Sequence, residues 1–212
     1  MAPRDYRAWH DGYDRPGSRL HLRLLVVQDL IAQALDDLAP GPVRVVSLCA
    51  GQGRDVLGVA RRHRRGGDLS GRLVELDAAN VAAARATIAA AGLAGIEAVA
   101  GDAGLSDAYV GAAPADLVLA CGIFGNVSHA DVEGTVRFLP ALCAPGAWVV
   151  WTRFPREDGV VDRIRGWFAE AGFEERALVV PEAGLRFGVG AARYAGGPVP
   201  LAAGRRLFSF VR

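Results

Sequence analysis

The amino-acid sequence predicts an α/β fold, namely a Rossmann-like, doubly wound, mostly parallel sheet with an antiparallel C-terminal strand and helices on both faces. The main observation is that, from residue 43 onward, short β-branched or apolar runs alternate five times with segments of helical period. Such alternation is typical of parallel sheets, because the crossover between parallel strands usually contains a helix. The second observation is composition, since 212 residues that are 51% hydrophobic suit a globular domain with a large core.

The predicted elements follow in order along the chain. A first helix over 18–38 has apolar residues at helical spacing, with Ser18 as its candidate N-cap. Strands are predicted at 43–48, 72–76, 96–100, 116–120, 147–152 and 174–180. The helices between them are predicted at 54–63, 78–91, 131–142 and 160–171. In the tail, 187–194 and 206–211 both have strand character, and which of them forms strand 7 stays open.

The chain divides into two parts. Residues 1–42 are an N-terminal aromatic segment and helix that we expect to cover the active site, and residues 43–212 are the main domain. In the first part, the candidate substrate-binding residues are Tyr6, Trp9 and Tyr13. His10 is a candidate general base, since histidine titrates near neutral pH. The alternative is that the aromatic residues only anchor this segment to the domain.

Charge and cysteine content exclude several classes of protein. With 24 basic and 23 acidic residues, the formal net charge is +1, which gives no general attraction to nucleic acid or to an anionic membrane. Three widely spaced cysteines without a C-x-x-C pair indicate neither a disulfide framework nor a zinc site. No segment is apolar enough for a membrane span or a signal peptide, and we expect a cytoplasmic protein without a metal.

The first strand is followed by a small-residue turn in the stretch VVSLCAGQGRDVL. Gly51 and Gly53 allow the backbone to approach a ligand closely, and the start of the next helix favours a carboxylate or phosphate. A dinucleotide-binding turn needs a third glycine where Val56 stands. The alternative is a tight strand-to-helix turn without a ligand.

Acidic residues follow the next two strands. Glu75 and Asp77, in VELD, point to the same side of a strand, and either carboxylate can accept from a ribose diol. Alternatively, Asp77 caps the helix that follows. Asp102, in GDA, can accept from the exocyclic amine of adenine, or it forms an Asx-type turn.

The loop after strand 4, CGIFGNVSHAD, provides further candidates. Phe124 and Asn126 can face a substrate, with Asn126 and His129 as candidate catalytic residues beside His10. His129 alternatively begins a solvated helix. Arg153, at the tip of strand 5, can bind an acidic substrate or is a charge on a surface loop.

In order and spacing, these loops resemble those of the class I S-adenosylmethionine-dependent methyltransferases over residues 43–180. The first loop is similar to their D-x-G-x-G-x-G motif, VELD to the acidic second motif, AGDA to the third and ADLVLACGIF to the strand-4 motif. The resemblance implies S-adenosyl-L-methionine as cofactor, with Asp77 at the ribose, Asp102 near adenine and the N–H of Ala103 on the ring. The candidate cofactor-binding residues are Cys49, Ala50, Gly51, Gly53, Asp55, Asp77, Asp102, Ala103, Cys121 and Gly122.

The first loop departs from the family pattern at two positions. Ser47 stands in place of the acid that helps to hold the cofactor's α-amino group, and Cys49 stands in place of the first glycine. Asp55, Asp14 or main-chain carbonyls near Cys49 and Cys121 can take over that role. We expect the two cysteines to line the pocket and not to act as nucleophiles, because no partner base is evident.

These observations predict a methyltransferase that uses S-adenosylmethionine on a small molecule, such as an intermediate of natural-product or secondary metabolism. The strand-4 motif lacks the N/D-P-P-[YFW] pattern of many nucleic-acid methyltransferases, which argues against a DNA or RNA base as substrate. Together with the charge balance, this leads us to expect no nucleic-acid partner, and the charge and the absence of an apolar span lead us to expect no membrane partner. A nicotinamide-dependent oxidoreductase with Tyr-x-x-x-Lys is excluded because the chain has no lysine. The alternatives are a non-catalytic binding module for S-adenosylmethionine or a nucleotide, and a methyltransferase for a macromolecule. The oligomeric state, monomer or homodimer, stays open.

Overall fold

The computed structural model describes residues 11–155, 159–181 and 187–211. It contains a seven-stranded sheet in the order β3-β2-β1-β4-β5-β7-β6. The strands are β1 Val43–Leu48, β2 Leu69–Glu75, β3 Ile96–Ala100, β4 Ala115–Ala120, β5 Cys143–Arg153, β6 Phe173–Val179 and β7 Gly188–Tyr194. The pairings among β1 to β5 are parallel, whereas β7 runs antiparallel to both β5 and β6. The predicted mostly parallel sheet with an antiparallel C-terminal strand is therefore confirmed.

Helices cover both faces of the sheet. They are α1 Arg19–Asp37, α2 Val56–Ala60, α3 Ala78–Ala90, α4 His129–Phe138 and α5 Val160–Glu170. Short 3-10 helices occur at Asp11–Asp14, Gly66–Asp68, Ser106–Tyr109 and Leu139–Leu142. Ser18 caps α1 as predicted, since its side chain accepts from the backbone N–H of His21 at 3.1 Å.

Two apolar cores lie on opposite faces of the sheet, as the alternation of side chains along a strand requires. Val45 of β1 packs with α1, α2 and α3, and its neighbour Val46 packs with α4 and α5. Both valines have no exposed surface. The central strands are apolar on both faces because each face is covered by helices.

The sheet order reverses at β1, which lies between β2 and β4. The crossovers that leave β1 and β4 lead to helices on opposite faces, so a crevice opens beyond the carboxyl ends of these strands. In open α/β sheets, ligands bind at this switch point. All the loops singled out in the sequence lie at this edge of the sheet.

Several predicted boundaries differ from the observed ones. The helix predicted at 54–63 is limited to Val56–Ala60, because the chain turns back and Gly66 lies against the carbonyl of Ala60 with no room for a Cβ. The helix predicted at 131–142 begins earlier, at His129, and continues only as a 3-10 turn around Pro140. Strand β2 begins three residues before the predicted start of 72, and β5 begins at Cys143 instead of 147.

The tail resolves the question of strand 7. Gly188–Tyr194 is β7, whereas 206–211 is not a strand and pairs with the domain through two isolated bridges. These bridges join Leu105 to Arg206 and Val127 to Phe210, so the tail crosses the loops that follow β3 and β4. No helix among the described residues is long and apolar enough to cross a membrane.

Candidate functional site

The loop after β1 is a tight turn built from backbone in the left-handed region. Cys49, Gly51 and Gly53 have φ values of 50°, 56° and 67°. A Cβ on Gly53 would lie 2.8 Å from Leu57 and 2.9 Å from Leu73, so glycine is required there for packing. Cys49 adopts a left-handed conformation that is costly for a residue with a side chain. The methyltransferase family that the sequence resembles has glycine at this position.

Glu75 links the first loop to the second. Its Oε2 accepts from the backbone N–H of Gly51 at 2.7 Å, and its Oε1 accepts from the N–H of Asp77 at 2.9 Å. Glu75 is half-buried at the carboxyl end of β2. The carboxylate is thus held at the switch point, and each oxygen keeps lone pairs that can accept from a further donor.

Asp77 caps α3. Its Oδ1 accepts from the N–H groups of Ala79 at 2.8 Å and Asn80 at 3.0 Å, which confirms the helix-cap alternative. Its assignment to the ribose stays a prediction. Leu76 lies between the two acids with 72% of its surface exposed, an apolar side chain at the site that the sequence analysis missed. The feature of the sequence that could have indicated this position is a large aliphatic residue between two acids at the end of a strand.

The loop after β3 is fixed by hydrogen bonds from the chain itself. Asp102 Oδ1 accepts from the N–H of Gly104 at 2.8 Å, as the Asx-turn alternative predicted, and Oδ2 accepts from Arg206 at 2.7 Å. Ala103 is buried, and its carbonyl accepts from the hydroxyl of Tyr109 at 2.6 Å. The C-terminal tail therefore contributes Arg206 to the side of the site where adenine was expected.

The loop after β4 is held by polar contacts to β5 and to itself. Gly122 donates its N–H to the hydroxyl of Thr152 at 2.7 Å, and its carbonyl accepts from the Asn126 amide at 2.7 Å. Phe124 has no exposed surface and packs against Trp151 at 6.2 Å between ring centroids. Its ring therefore lies in the core, where its packing supports the loop.

His129 and Arg153 occupy different environments. His129 is half-buried as the first residue of α4, so the helix-start alternative describes its position. Arg153 ends β5 with only 4% of its surface exposed, which rules out a charge on a surface loop. A Cβ on Gly125 would lie 3.6 Å from its guanidinium, so Arg153 reaches the loop after β4.

The two cysteines at the strand tips are protonated thiols near neutral pH. Burial raises the pKa of Cys49, and the nearby carboxylates Glu75 and Asp102 add to the rise. Burial also raises the pKa of Cys121, with Asp55 as the second cause. A thiol in such surroundings is a poor nucleophile. The cysteines pack against different cores, Cys49 on the α4 and α5 face and Cys121 on the opposite one.

Asp55 follows the glycine-containing loop after β1 and is half-buried. Its Oδ1 accepts from the N–H of Val56 at 2.8 Å. Burial raises the pKa of Asp55, and the guanidinium of Arg23 opposes the rise. Arg23, on α1, donates to the hydroxyl of Tyr13 at 2.7 Å. Arg23 was not predicted from the sequence, because one arginine on an amphipathic helix looks like any other solvated charge.

The N-terminal segment is docked onto the first loop. Arg54 donates to both carboxylate oxygens of Asp14, at 2.5 and 3.0 Å, and its guanidinium lies 5.7 Å from the centroid of the Tyr13 ring. Arg54 also donates to Gln52 at 3.0 Å. The predicted residues Tyr6, Trp9 and His10 lie outside the described part of the chain.

The described residues contain no group of three or more His, Cys, Asp or Glu side chains arranged to hold a metal ion. The groups that face the switch point are carboxylates, backbone N–H groups, small residues and Leu76. Such a site can hold a polar organic ligand with hydroxyl groups, an aromatic ring and charged ends.

Comparison with families of known proteins gives one match. Residues 15–161, more than half of the chain, match the model of a family described as "Putative methyltransferase". The matched region begins at the N-terminal segment and includes the loops after β1, β2, β3 and β4. No curated protein matches the chain at a significant level.

Solved structures with the same fold were also found. An O-methyltransferase family protein from Burkholderia thailandensis matches with a TM-score of 0.67 and 20% identity, over 91% of this chain and 61% of that one. Magnesium protoporphyrin IX methyltransferase from Synechocystis PCC 6803, with bound SAH, matches with a TM-score of 0.67 and 12% identity, over 89% and 93%. Aeropyrum pernix fibrillarin, with natively bound S-adenosyl-L-methionine, matches with a TM-score of 0.59 and 16% identity, over 77% and 74%. The chain thus spans about three fifths of the length of the Burkholderia protein.

Proposed function

From the premise that the chain belongs to the family described as "Putative methyltransferase", we propose that it transfers a methyl group from S-adenosylmethionine to a small molecule. The observation that carries the proposal is the position of Glu75 at the switch point, tied to the glycine-containing loop through Gly51. A carboxylate at the end of the second strand, beside a glycine loop, is suited to accept from the two hydroxyls of a ribose. Two of the similar structures contain S-adenosylmethionine or SAH, which supports the choice of cofactor.

The cofactor is assigned to the strand-tip loops in order along the crevice. Glu75 accepts from the ribose, while Asp77 caps α3 and supports the loop. Leu76 covers one face of the adenine, because its exposed side chain adjoins the ribose carboxylate and becomes buried when a ring packs on it. Asp102 and the N–H of Ala103 receive the polar edge of the adenine.

The reaction needs little acid–base chemistry from the protein. The lone pair of the acceptor forms a bond to the methyl carbon as the bond from carbon to the sulfonium sulfur breaks, and the sulfur keeps the electron pair. A proton on the acceptor leaves to solvent or to a base. The chain's contribution is to bind and orient the cofactor and to keep water away from the methyl group.

A small-molecule acceptor is supported by the charge balance of the chain and by the name of one similar structure. The formal net charge is +1, which provides no general electrostatic attraction to nucleic acid. We assign the acceptor to the loop after β4 and to Arg153, whose guanidinium would lie 3.6 Å from a Cβ on Gly125 of that loop. Magnesium protoporphyrin IX methyltransferase, one of the similar structures, is a small-molecule methyltransferase by its name.

Incubation with S-adenosylmethionine and a panel of metabolites, read by mass spectrometry, tests this proposal. We expect one class of metabolite to gain the mass of a methylene unit while S-adenosylhomocysteine (SAH), the cofactor without its methyl group, accumulates. The same reaction is run with RNA, DNA and protein as acceptors. Methylation of one of these instead contradicts the small-molecule assignment. Binding of SAH without transfer to any acceptor contradicts an enzymatic role and favours a binding module.

A further inference from the structure

A ligand that ends in an α-amino acid carries an ammonium and a carboxylate close together. A buried site for such a group needs an anion and a cation of its own, because removing either charge from water without a partner is costly. S-adenosylmethionine has such an end, so this inference rests on the proposed function. Ser47, at the end of β1, is buried and neutral and provides no charge.

Asp55 and Arg23 are opposite charges brought together by different parts of the chain. Asp55 follows the glycine loop directly and is half-buried, and Arg23 comes from the second turn of α1. Contacts around the glycine loop bring them to the same place. Gln28 of α1 donates to the backbone carbonyl of Arg54 at 2.8 Å, and the Arg54 guanidinium lies 5.7 Å from the centroid of the Tyr13 ring, whose hydroxyl accepts from Arg23. Arg54 directly precedes Asp55 in the sequence. In agreement with this proximity, the charge of Arg23 opposes the burial-driven rise in the pKa of Asp55.

Tyr13 and Asp14 connect α1 to the loop after β1. The hydroxyl of Tyr13 accepts from Arg23 at 2.7 Å, and the backbone carbonyl of Tyr13 lies 3.1 Å from Nδ1 of His21. Asp14 is held by both terminal nitrogens of Arg54. Tyr13 thus restrains the guanidinium of Arg23, a residue of α1. A charged side chain that is held in this way loses little conformational freedom when a ligand binds.

We propose that Asp55 and Arg23 together bind the α-amino acid end of the cofactor, with Asp55 accepting from its ammonium and Arg23 donating to its carboxylate. This pair takes the place of an acid inside the strand and explains how a neutral Ser47 is compatible with cofactor binding. It also gives the docked N-terminal segment a role, which is to position Arg23 through Tyr13.

Calorimetry with two ligands tests the pair. SAH has the amino acid end, whereas 5′-methylthioadenosine keeps the adenosine and the thioether and lacks it. We expect Asp55→Asn and Arg23→Gln each to weaken SAH binding about 10- to 100-fold, the scale of charge-assisted hydrogen bonds. Binding of 5′-methylthioadenosine should change by less than about twofold, and Arg23→Lys should restore part of the SAH affinity.

The matched controls are Asp29→Asn and Arg61→Gln, which change the same two types of charge at exposed side chains. Asp29 lies on α1, as Arg23 does, and Arg61 follows α2, which Asp55 precedes. We expect neither to change the affinity for SAH or for 5′-methylthioadenosine. Equal losses for the two ligands in the Asp55 and Arg23 variants would overturn the inference, because the pair would then only support the fold. Unchanged SAH affinity in both variants would overturn it as well. If the wild-type protein binds neither ligand, the proposed function itself fails, and this outcome is visible before any variant is measured.

Discussion

The backbone N–H of Gly51 and the carboxylate of Glu75 lie 2.7 Å apart and join the loop after β1 to the end of β2. This hydrogen bond fixes Glu75 at the switch point of the sheet, while its neighbour Asp77 is used as the cap of α3. The two acids therefore have different roles, because β2 ends at Glu75 and Asp77 already belongs to the start of α3.

Exchange of each acid for its amide separates these roles. We expect Glu75→Gln to weaken SAH binding by about 1–3 kcal/mol, because a carboxylate that accepts from ribose hydroxyls is lost. Asp77→Asn should leave the affinity unchanged, since asparagine caps helices as well as aspartate does. Isothermal calorimetry on both variants measures the difference. A loss confined to the Asp77 variant would assign the ribose to Asp77.

Leu76 provides a test of the adenine position. Because its side chain is 72% exposed, we expect Leu76→Ala to leave the free energy of unfolding within about 0.5 kcal/mol of the wild type. Binding of SAH and of 5′-methylthioadenosine should both weaken, by about 1 kcal/mol, as apolar contact with the ring is lost. Val110→Ala is the control, since Val110 is also exposed but lies in a different loop. Unchanged affinity for both ligands would place the adenine elsewhere.

The affinity for SAH is expected to depend on pH through Asp55. Burial raises its pKa above the ordinary 3.8, and the groups that face it are Arg23 from α1, Tyr13 from the N-terminal segment and Cys121 after β4. The carboxylate binds an ammonium only when ionised, so affinity should fall as the pH is lowered from neutrality through this raised pKa. Asp55→Asn should flatten the profile over the same range. Calorimetry at a series of pH values measures it, and an equally steep profile in the variant would exclude Asp55 as the group.

The same shift predicts a gain in stability for Asp55→Asn without ligand. A carboxyl whose pKa is higher in the folded than in the unfolded state binds protons more readily when folded, so its contribution to stability decreases as the pH rises through the folded pKa. At neutral pH the charged Asp55 therefore opposes folding, and asparagine removes this cost while keeping the cap on α2. Urea unfolding at neutral pH should show a higher free energy of unfolding for the variant. A lower value would mean that the charge of Asp55 stabilises the fold.

Cys49 tests the backbone strain in the first loop. With φ at 50°, a β-branched side chain is strongly disfavoured, and we expect Cys49→Val to lower the free energy of unfolding by about 1–3 kcal/mol. Cys49→Gly should stay within about 1 kcal/mol of the wild type, because relief of strain offsets the greater freedom of glycine in the unfolded chain. Chemical denaturation compares the two variants. Equal effects would show that packing of the thiol, and not the backbone, decides the residue at this position.

The sequence was sufficient for the sheet and for the loops that form the site. The ranges 43–48 and 96–100 were predicted to the residue, because Pro42 precedes the first run and glycines flank the second. The short α2 was not predicted, because the apolar pattern does not show the turn after Ala60 that brings Gly66 against the Ala60 carbonyl. Strand 7 was ambiguous because both tail segments are apolar, and only pairing with β5 and β6 distinguishes Gly188–Tyr194.

Within the site, the sequence located groups but not their partners. The strand pattern made Glu75 and Asp77 candidates for the ribose, and the resemblance implied Asp77. The hydrogen bonds of Asp77 to the start of α3, seen only in the folded chain, distinguish the two acids. Arg23 was missed because its importance comes from Tyr13 and Asp55, which are 10 and 32 positions away in sequence and meet it only in the folded chain. The burial of Phe124 could not be predicted, because this residue lies in an irregular loop, where side chains do not alternate between two faces as they do along a strand.

A crystal structure of the protein with SAH tests the central claim most directly, since it measures where each end of the ligand lies. The account predicts that the ribose hydroxyls lie within hydrogen-bond distance of Glu75, with the adenine against Leu76 and the amino acid end between Asp55 and Arg23. A ligand bound away from the loops after β1 and β2, or with its ribose on Asp77 while Glu75 contacts only Gly51, would contradict it.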